Sequence, residues 1–195
     1  MNKLFVIGLA AGLVSLTACK KEGCTDPTAV NFSDEAKKDD GTCTYAPVEQ
    51  TEDVTVHMDH MWAGSDFTLN TAYTHPTTGD ELTFTTMKYY VSNIKLKKDD
   101  GSWWVEPESY YLVDVSQGEM FTIPDVPEGN YTDISYTLGV DSLRNVSGAQ
   151  TGALSTANGM FWSWNTGYIM TKAEGTSPQS SSGSFAFHLG GFSGA

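Results

Sequence analysis

The chain has 195 residues and a net charge of −13, with 24 acidic side chains against 11 basic ones and a single arginine, Arg144. So acidic a surface excludes nucleic-acid binding through phosphate contacts, and it excludes electrostatic adsorption to an anionic membrane. The length suits one domain, or one domain with a small appendage, and is enough to bury a real core.

Lys3 is the only charge among the first 19 residues, and it precedes an apolar run, Leu4 to Leu16. The run is shorter than the ~20 residues that a spanning helix needs. It closes in Leu16-Thr17-Ala18-Cys19. A basic start, an apolar run and small residues before a cysteine resemble the signal peptide and lipobox of bacterial lipoproteins. The resemblance implies that residues 1–18 are removed, that Cys19 is lipidated, and that the lipid alone holds the protein to its membrane. Lys20 rather than an aspartate follows the cysteine, so the expected location is the outer membrane, facing the periplasm or the cell surface.

With Cys19 consumed by lipid, Cys24 and Cys43 remain, and in an oxidising compartment they have one possible pairing. Closing that loop is worth about 3 kcal/mol in the chain-entropy picture. The segment Gly23 to Tyr45 (GCTDPTAVNFSDEAKKDDGTCTY) carries few large apolar residues and cannot build a core without the bridge. It resembles a short Cys-bracketed repeat, CTDPxAxNYxxxAxxDDGSC, found in exported Bacteroidetes proteins. Asp26, Asp34, Asp39 and Asp40 offer the oxygen donors that calcium prefers. The alternation of an EF-hand loop is absent, so a solvated, disulfide-stapled spacer is the competing reading.

Residues 46–53 read as a polar linker, and the second domain is expected over 54–195. There the pattern turns to period two. Tyr90, Ser92, Ile94 and Leu96 fall on one face of a strand, with Tyr89, Val91, Asn93 and Lys95 on the other, and Ile134, Tyr136, Leu138 and Val140 alternate likewise. Strands are predicted at Val54–Met58, Phe67–Tyr73, Leu82–Lys97, Trp103–Glu106, Tyr110–Val113, Phe121–Ile123, Tyr131–Val140, Met160–Glu174 and Ser184–Leu189. Asp99-Asp100-Gly101 and Pro127-Glu128-Gly129-Asn130 are turn signals. No helical period follows the leader, and the fold class is all-β, an antiparallel β-sandwich. Asp141 to Asn158 is a long Ser/Gly/Ala-rich connection of the kind that carries function or mobility.

Three stretches carry the chemistry: His57-Met58-Asp59-His60-Met61-Trp62, the block Gly159 to Tyr168 with Trp162 and Trp164, and His188-Leu189-Gly190-Gly191. Imidazole and thioether donors without a free thiolate suit copper, with zinc possible on ligand type. His57 and His60 are separated by an odd number of residues and share a metal only if the strand ends or bulges between them. Otherwise His188 is the natural partner of one of them. Packing competes with ligation for each of these residues, and His75 reads as part of an exposed turn.

From about Val54 the chain resembles the MbnP-like family. The resemblance is carried by Tyr89 to Leu96 (YYVSNIKL), Val126 to Tyr131 (VPEGNY), Leu138 to Asn145 (LGVDSLRN), Gly159 to Gly175 (GMFWSWNTGYIMTKAEG) and Phe187 to Gly191 (FHLGG). It implies a β-rich exported protein that binds copper. It also implies a partner, a di-haem enzyme related to MauG and bacterial cytochrome c peroxidases, which oxidises a tryptophan to a copper-ligating kynurenine. Carried over, the oxidised residue is Trp162 or Trp164, and the ligands are His188 with His57 or His60. The family domain continues past the His-Gly-Gly block, so the sandwich is expected to be truncated at its C-terminus.

The leading expectation is therefore a copper-binding lipoprotein that is the partner and substrate of a redox enzyme and not an enzyme itself. The alternative is a surface adhesion or structural module whose aromatic residues only pack. A hydrolase has little support, because no GxSxG elbow is present.

Overall fold

In a computed structural model the described residues are 20–162 and 167–191. The expected leader, the lipid site Cys19 and Trp164 lie outside them. The chain divides into two compact units, Met1–Glu49 and Gln50–Ala195.

In the first unit Cys24 and Cys43 are bridged, closing a sequence separation of 19. Around the bridge, among the described residues, only Cys24, Ala29 and Ala36 are buried apolar residues, so the covalent link does what a core this small cannot. The aspartates shape turns. Asp26 accepts from the backbone N–H and hydroxyl of Thr28, Asp40 does the same for Thr42, and Asp39 accepts from the Gly41 N–H. These hydrogen bonds hold the carboxyls of Asp26 and Asp40 below the usual range. Among the described residues the only donor cluster of metal-binding type lies in the second unit. Calcium in this unit is unsupported: its acids close local turns and do not converge.

The second unit is an antiparallel sandwich. Its spine is β5 (Glu81–Lys98), an 18-residue strand. β4 (Ala72–Thr74), β7 (Tyr110–Asp114) and β6 (Trp103–Val105) pair along one side of it, and β11 (Gly167–Thr176) and β9 (Tyr131–Leu138) along the other. β12 (Ser184–Gly190) extends the sheet beyond β11, and β10 (Phe161–Trp162) pairs with the start of β11. A ribbon of β1 (Thr51–His57) and β8 (Met120–Pro127) forms the second layer. A two-residue-strand hairpin, β2 (Met61–Trp62) with β3 (Ser65–Asp66), follows β1.

The register of β5 shifts at Thr85, at Asn93 and between Lys97 and Lys98, and the shift at Asn93 decides the core. Asn93 has φ 55°, and the pairing with β9 slips between Ser92 and Lys95. The extra residue inverts the faces beyond it. Ile94 and Leu96 therefore join Tyr89 and Val91, not Tyr90 and Ser92, in the core under the β1–β8 ribbon, together with Val113, Ile123 and Val126. Tyr90 faces the opposite core with Val140, Leu154, Met160, Tyr168 and Ile169.

The long connection after β9 covers that second core. Asp141 caps a single helical turn, α1 (Ser142–Val146), by accepting from the Arg144 N–H. Asn145 accepts from the Tyr168 N–H, and the Ala153 and Leu154 carbonyls accept from the hydroxyls of Tyr90 and Tyr168. One turn of helix is too short to leave a period in the sequence. The expected strand Met160–Glu174 falls into β10 and β11, and the expected strand Phe67–Tyr73 contributes only its last two residues to β4. β1 starts at Thr51, earlier than expected, because its first residues are polar and exposed. The apolar row Ile134, Tyr136 and Leu138 on β9 is exposed, and only Val140 is buried.

Candidate metal centre

β1 ends at His57, where the Met58 N–H donates to the Glu119 carbonyl and the chain turns away. That turn removes the obstacle of odd spacing, and His57 and His60 both reach Glu119. His57 Nε2 lies 3.4 Å from Glu119 Oε2, and His60 Nδ1 lies 2.8 Å from Oε1. His60 Nε2 is 2.8 Å from the Tyr89 hydroxyl, with the two rings edge to face. Burial pushes Tyr89 up to about 12, so its hydroxyl keeps its proton and donates to Nε2, leaving Nδ1–H to donate to Glu119. The hydrogen bond from His60, above all, holds Glu119 below the usual carboxylate range.

His57, Asp59 and Glu119 each place one donor atom within 4.8 Å of the others. Both nitrogens of His60 are already engaged, so it orients Glu119 while His57 supplies the imidazole. An imidazole with two carboxylates suits a divalent transition metal. Met120, exposed, is paired across the ribbon with His57, so its side chain leaves the same face. A thioether beside an imidazole favours copper or zinc over calcium or magnesium.

Beside this cluster lies a cavity of about 260 Å³ lined by Asp59, His60, Met61, Trp62, Phe67, Phe84 and Met87. Trp62 is half-buried there. Its Nε1–H donates to the Thr74 carbonyl at 3.3 Å, and its ring lies against Tyr73 and Phe84.

The structure does not bring His188 to this place. His188, Lys172 and Lys88 form one cross-strand row, whereas Tyr89, the partner of His60, points to the other face of β5. His188 Nε2 meets Glu174 Oε1 at 2.7 Å, with Lys172 3.3 Å from the same oxygen. Burial pushes Glu174 up, but His188 and Lys172 outweigh it and hold the carboxyl below its ordinary value. Trp162 packs against the Tyr90–Tyr168 core. His75 accepts from the N–H groups of Thr77 and Thr78 in the turn between β4 and β5.

Sequence reasoning missed Glu119, Tyr89 and Trp62 as parts of one site. Glu119 is 59 residues from His60 and stands in no motif. For Asp59 and Trp62, not named as site residues from the sequence either, the signal was their place in the His57–Trp62 stretch.

The family model for MbnP matches residues 51–195. Among solved structures, MbnP from Methylosinus trichosporium superposes with a TM-score of 0.57 at 14% identity, over 72% of this chain. The chain spans 62% of the length of that structure. No curated protein matches.

Proposed function

The chain belongs to the MbnP family, a copper-related one, and from that premise we propose that it is an accessory copper-binding protein, not itself an enzyme. The observation that carries this reading is the convergence of His57, Asp59 and Glu119 within 4.8 Å. His57, Asp59 and Glu119 would hold the ion, with the Met120 thioether on the same face. Bound copper would supply a redox-active centre. His60 and Tyr89 keep the Glu119 carboxylate aimed before the ion arrives, the role that outer-shell partners play in metal sites.

Copper titration of the purified protein tests this. One equivalent should bind, and Glu119→Gln or His57→Ala should each weaken it by roughly tenfold or more, the range expected when ligands or their supports are lost. His188→Ala should leave it unchanged. Equal affinity in all of these variants would overturn the site, and loss in His188→Ala alone would move it to β12.

The proposal extends to a lipid-anchored protein in the outer membrane, attached at Cys19. It also includes a di-haem partner of the MauG or cytochrome c peroxidase kind as the oxidant of a tryptophan. Trp162 and Trp164 are the residues that family resemblance puts forward. The geometry favours Trp62, because it shares a cavity with Asp59 and His60. Indole offers only a donor, so a tryptophan here becomes a ligand only after oxidation to kynurenine. Co-expression with a cognate di-haem enzyme should add about 4 Da, one oxygen gained and one carbon lost, to the peptide carrying Trp62. The same mass change on the peptide carrying Trp162 and Trp164 would exclude Trp62.

A further inference from the structure

The cavity of about 260 Å³ beside the histidine cluster has a donor set unlike that of its neighbour. Two thioethers, Met61 and Met87, and three aromatic rings, Trp62, Phe67 and Phe84, line it together with Asp59 and His60. His60 has no nitrogen to offer, since Glu119 and Tyr89 take both. Asp59 is shared with the His57–Asp59–Glu119 group. One carboxylate is thus the hard donor left to a wall that is otherwise sulfur and ring.

Two irregular backbones make this lining. The register shift at Thr85 turns Phe84 onto the face of β5 that carries Met87 and Tyr89. Trp62, from the β2–β3 hairpin, and Phe67, just after it, then pack on Phe84 with centroids 5.6 and 5.3 Å away. Their rings meet Phe84 at 57° and 74°, so they stand as inclined walls and not as a stack. Met87 is half-buried against the first core, but Met61 is 59% exposed. Core filling accounts for Met87. It does not account for Met61, which lines the cavity while staying in contact with solvent.

We propose that this cavity is a second, soft metal site that takes a closed-shell monovalent cation, copper(I) or silver(I), on the Met61 and Met87 thioethers with the Trp62 indole beside it. Thioethers select copper(I), and an aromatic ring adds attraction for a desolvated cation. Methionine has three free rotors, so two sulfurs can close on an ion without moving their strands. Calcium and magnesium want a shell of oxygens that one carboxylate does not supply. Copper(II) and zinc find an imidazole and two carboxylates next door. Charge points the same way, because Asp59 alone neutralises a single positive charge and would leave a divalent ion uncompensated in an apolar cavity. The inference rests on the copper reading above, to which it adds an oxidation state and a separate donor set.

The test uses the purified whole chain made without a di-haem partner, so that Trp62 stays an indole, with its methionine methyls labelled with carbon-13. Silver(I), which has no redox chemistry here, is the probe. One equivalent should shift the two methyls that show Overhauser contacts to the Trp62 indole, and should change the indole emission. Met61→Leu and Met87→Leu, which conserve volume, should each weaken silver binding by about tenfold or more, the scale for lost ligands or their supports. His57→Ala should leave it unchanged while weakening copper(II). Should a Leu variant fail to fold, the methyl shifts in the unaltered protein still decide the matter. No saturable silver binding, equal affinity in both Leu variants, or shifts confined to Met58 or Met120 would each overturn the proposal. Loss of silver in His57→Ala alone would overturn it while leaving the histidine cluster standing as a copper site. Silver binding that follows the two methionines in a chain that binds no copper(II) would uphold the soft site and overturn the histidine cluster.

Discussion

At the scale of single residues, the function of one side chain is set by what its neighbours leave open. His60 is an obvious ligand in the sequence, yet both of its nitrogens are spent on Glu119 and Tyr89, and it becomes the group that aims the carboxylate. His188 is spent on Glu174. The glycine two residues after His188 has a packing reason. A Cβ on Gly190 would lie 2.5 Å from the Tyr168 carbonyl oxygen and 2.9 Å from the Trp162 ring. The carbonyl belongs to the strand ladder and cannot retreat cheaply. Gly190→Ala should therefore cost about 1–3 kcal/mol, as overpacking does. Thermal or urea unfolding checks it, and an unchanged midpoint would mean that β12 shifts freely on β11.

At the scale of elements, two irregular backbones do the positioning. The bulge at Asn93 lets one long strand serve two cores. It puts Tyr89 on the same side as Ile94 and Leu96, under the ribbon that carries His57 and Glu119. The Asn93 side chain reaches Ser92 and Asp141, which fastens the bulge to the cap of α1. The second is the β2–β3 turn, where Ala63 has φ 47° and Gly64 has φ 87°. Two left-handed residues in a two-residue hairpin make a turn that prefers Asn-Gly. Alanine at the first position is strained, and it directly follows Trp62. Ala63→Asn should stabilise the protein, by about 0.5–1 kcal/mol on the scale of such backbone changes. A lower unfolding midpoint in that variant would show that the turn is held by something other than its own dihedrals.

At the scale of the whole molecule, four half-buried carboxyls, Asp114, Glu119, Asp141 and Glu174, are held below their ordinary values by different contacts. Burial opposes the shift at Asp114, Asp141 and Glu174, but Lys88 with Ser116, Tyr110 with the α1 backbone, and His188 with Lys172 outweigh it. At Glu119 the His60 hydrogen bond is the largest influence. A carboxyl whose folded value is depressed contributes stability that is full above its unfolded value, 3.8 for Asp and 4.5 for Glu. That stability is lost as pH falls through the folded value. Urea midpoints should be level from neutral pH to about 5 and decline below about 4, the region where these groups take up protons. A midpoint that rises on acidification would contradict the four assignments together.

The all-β class, the Cys24–Cys43 pairing, most strands and the Asp99-Asp100-Gly101 hairpin were readable from order alone, because alternation, turn chemistry and cysteine count act over a few residues. The stretch His57–Trp62 announced itself for the same reason. What the sequence left open was decided by contacts between distant positions. The face on which Ile94 and Leu96 lie depended on one positive φ at Asn93, which no pattern of apolar residues encodes. The donor set depended on β1 and β8 lying side by side, which carries Glu119 to two histidines that never signal it. His188 was separated from them by sheet register, since a row of paired residues shares one face and its sequence neighbours take the other. Ligand type is a property of residues, whereas convergence is a property of the register that strand pairing imposes.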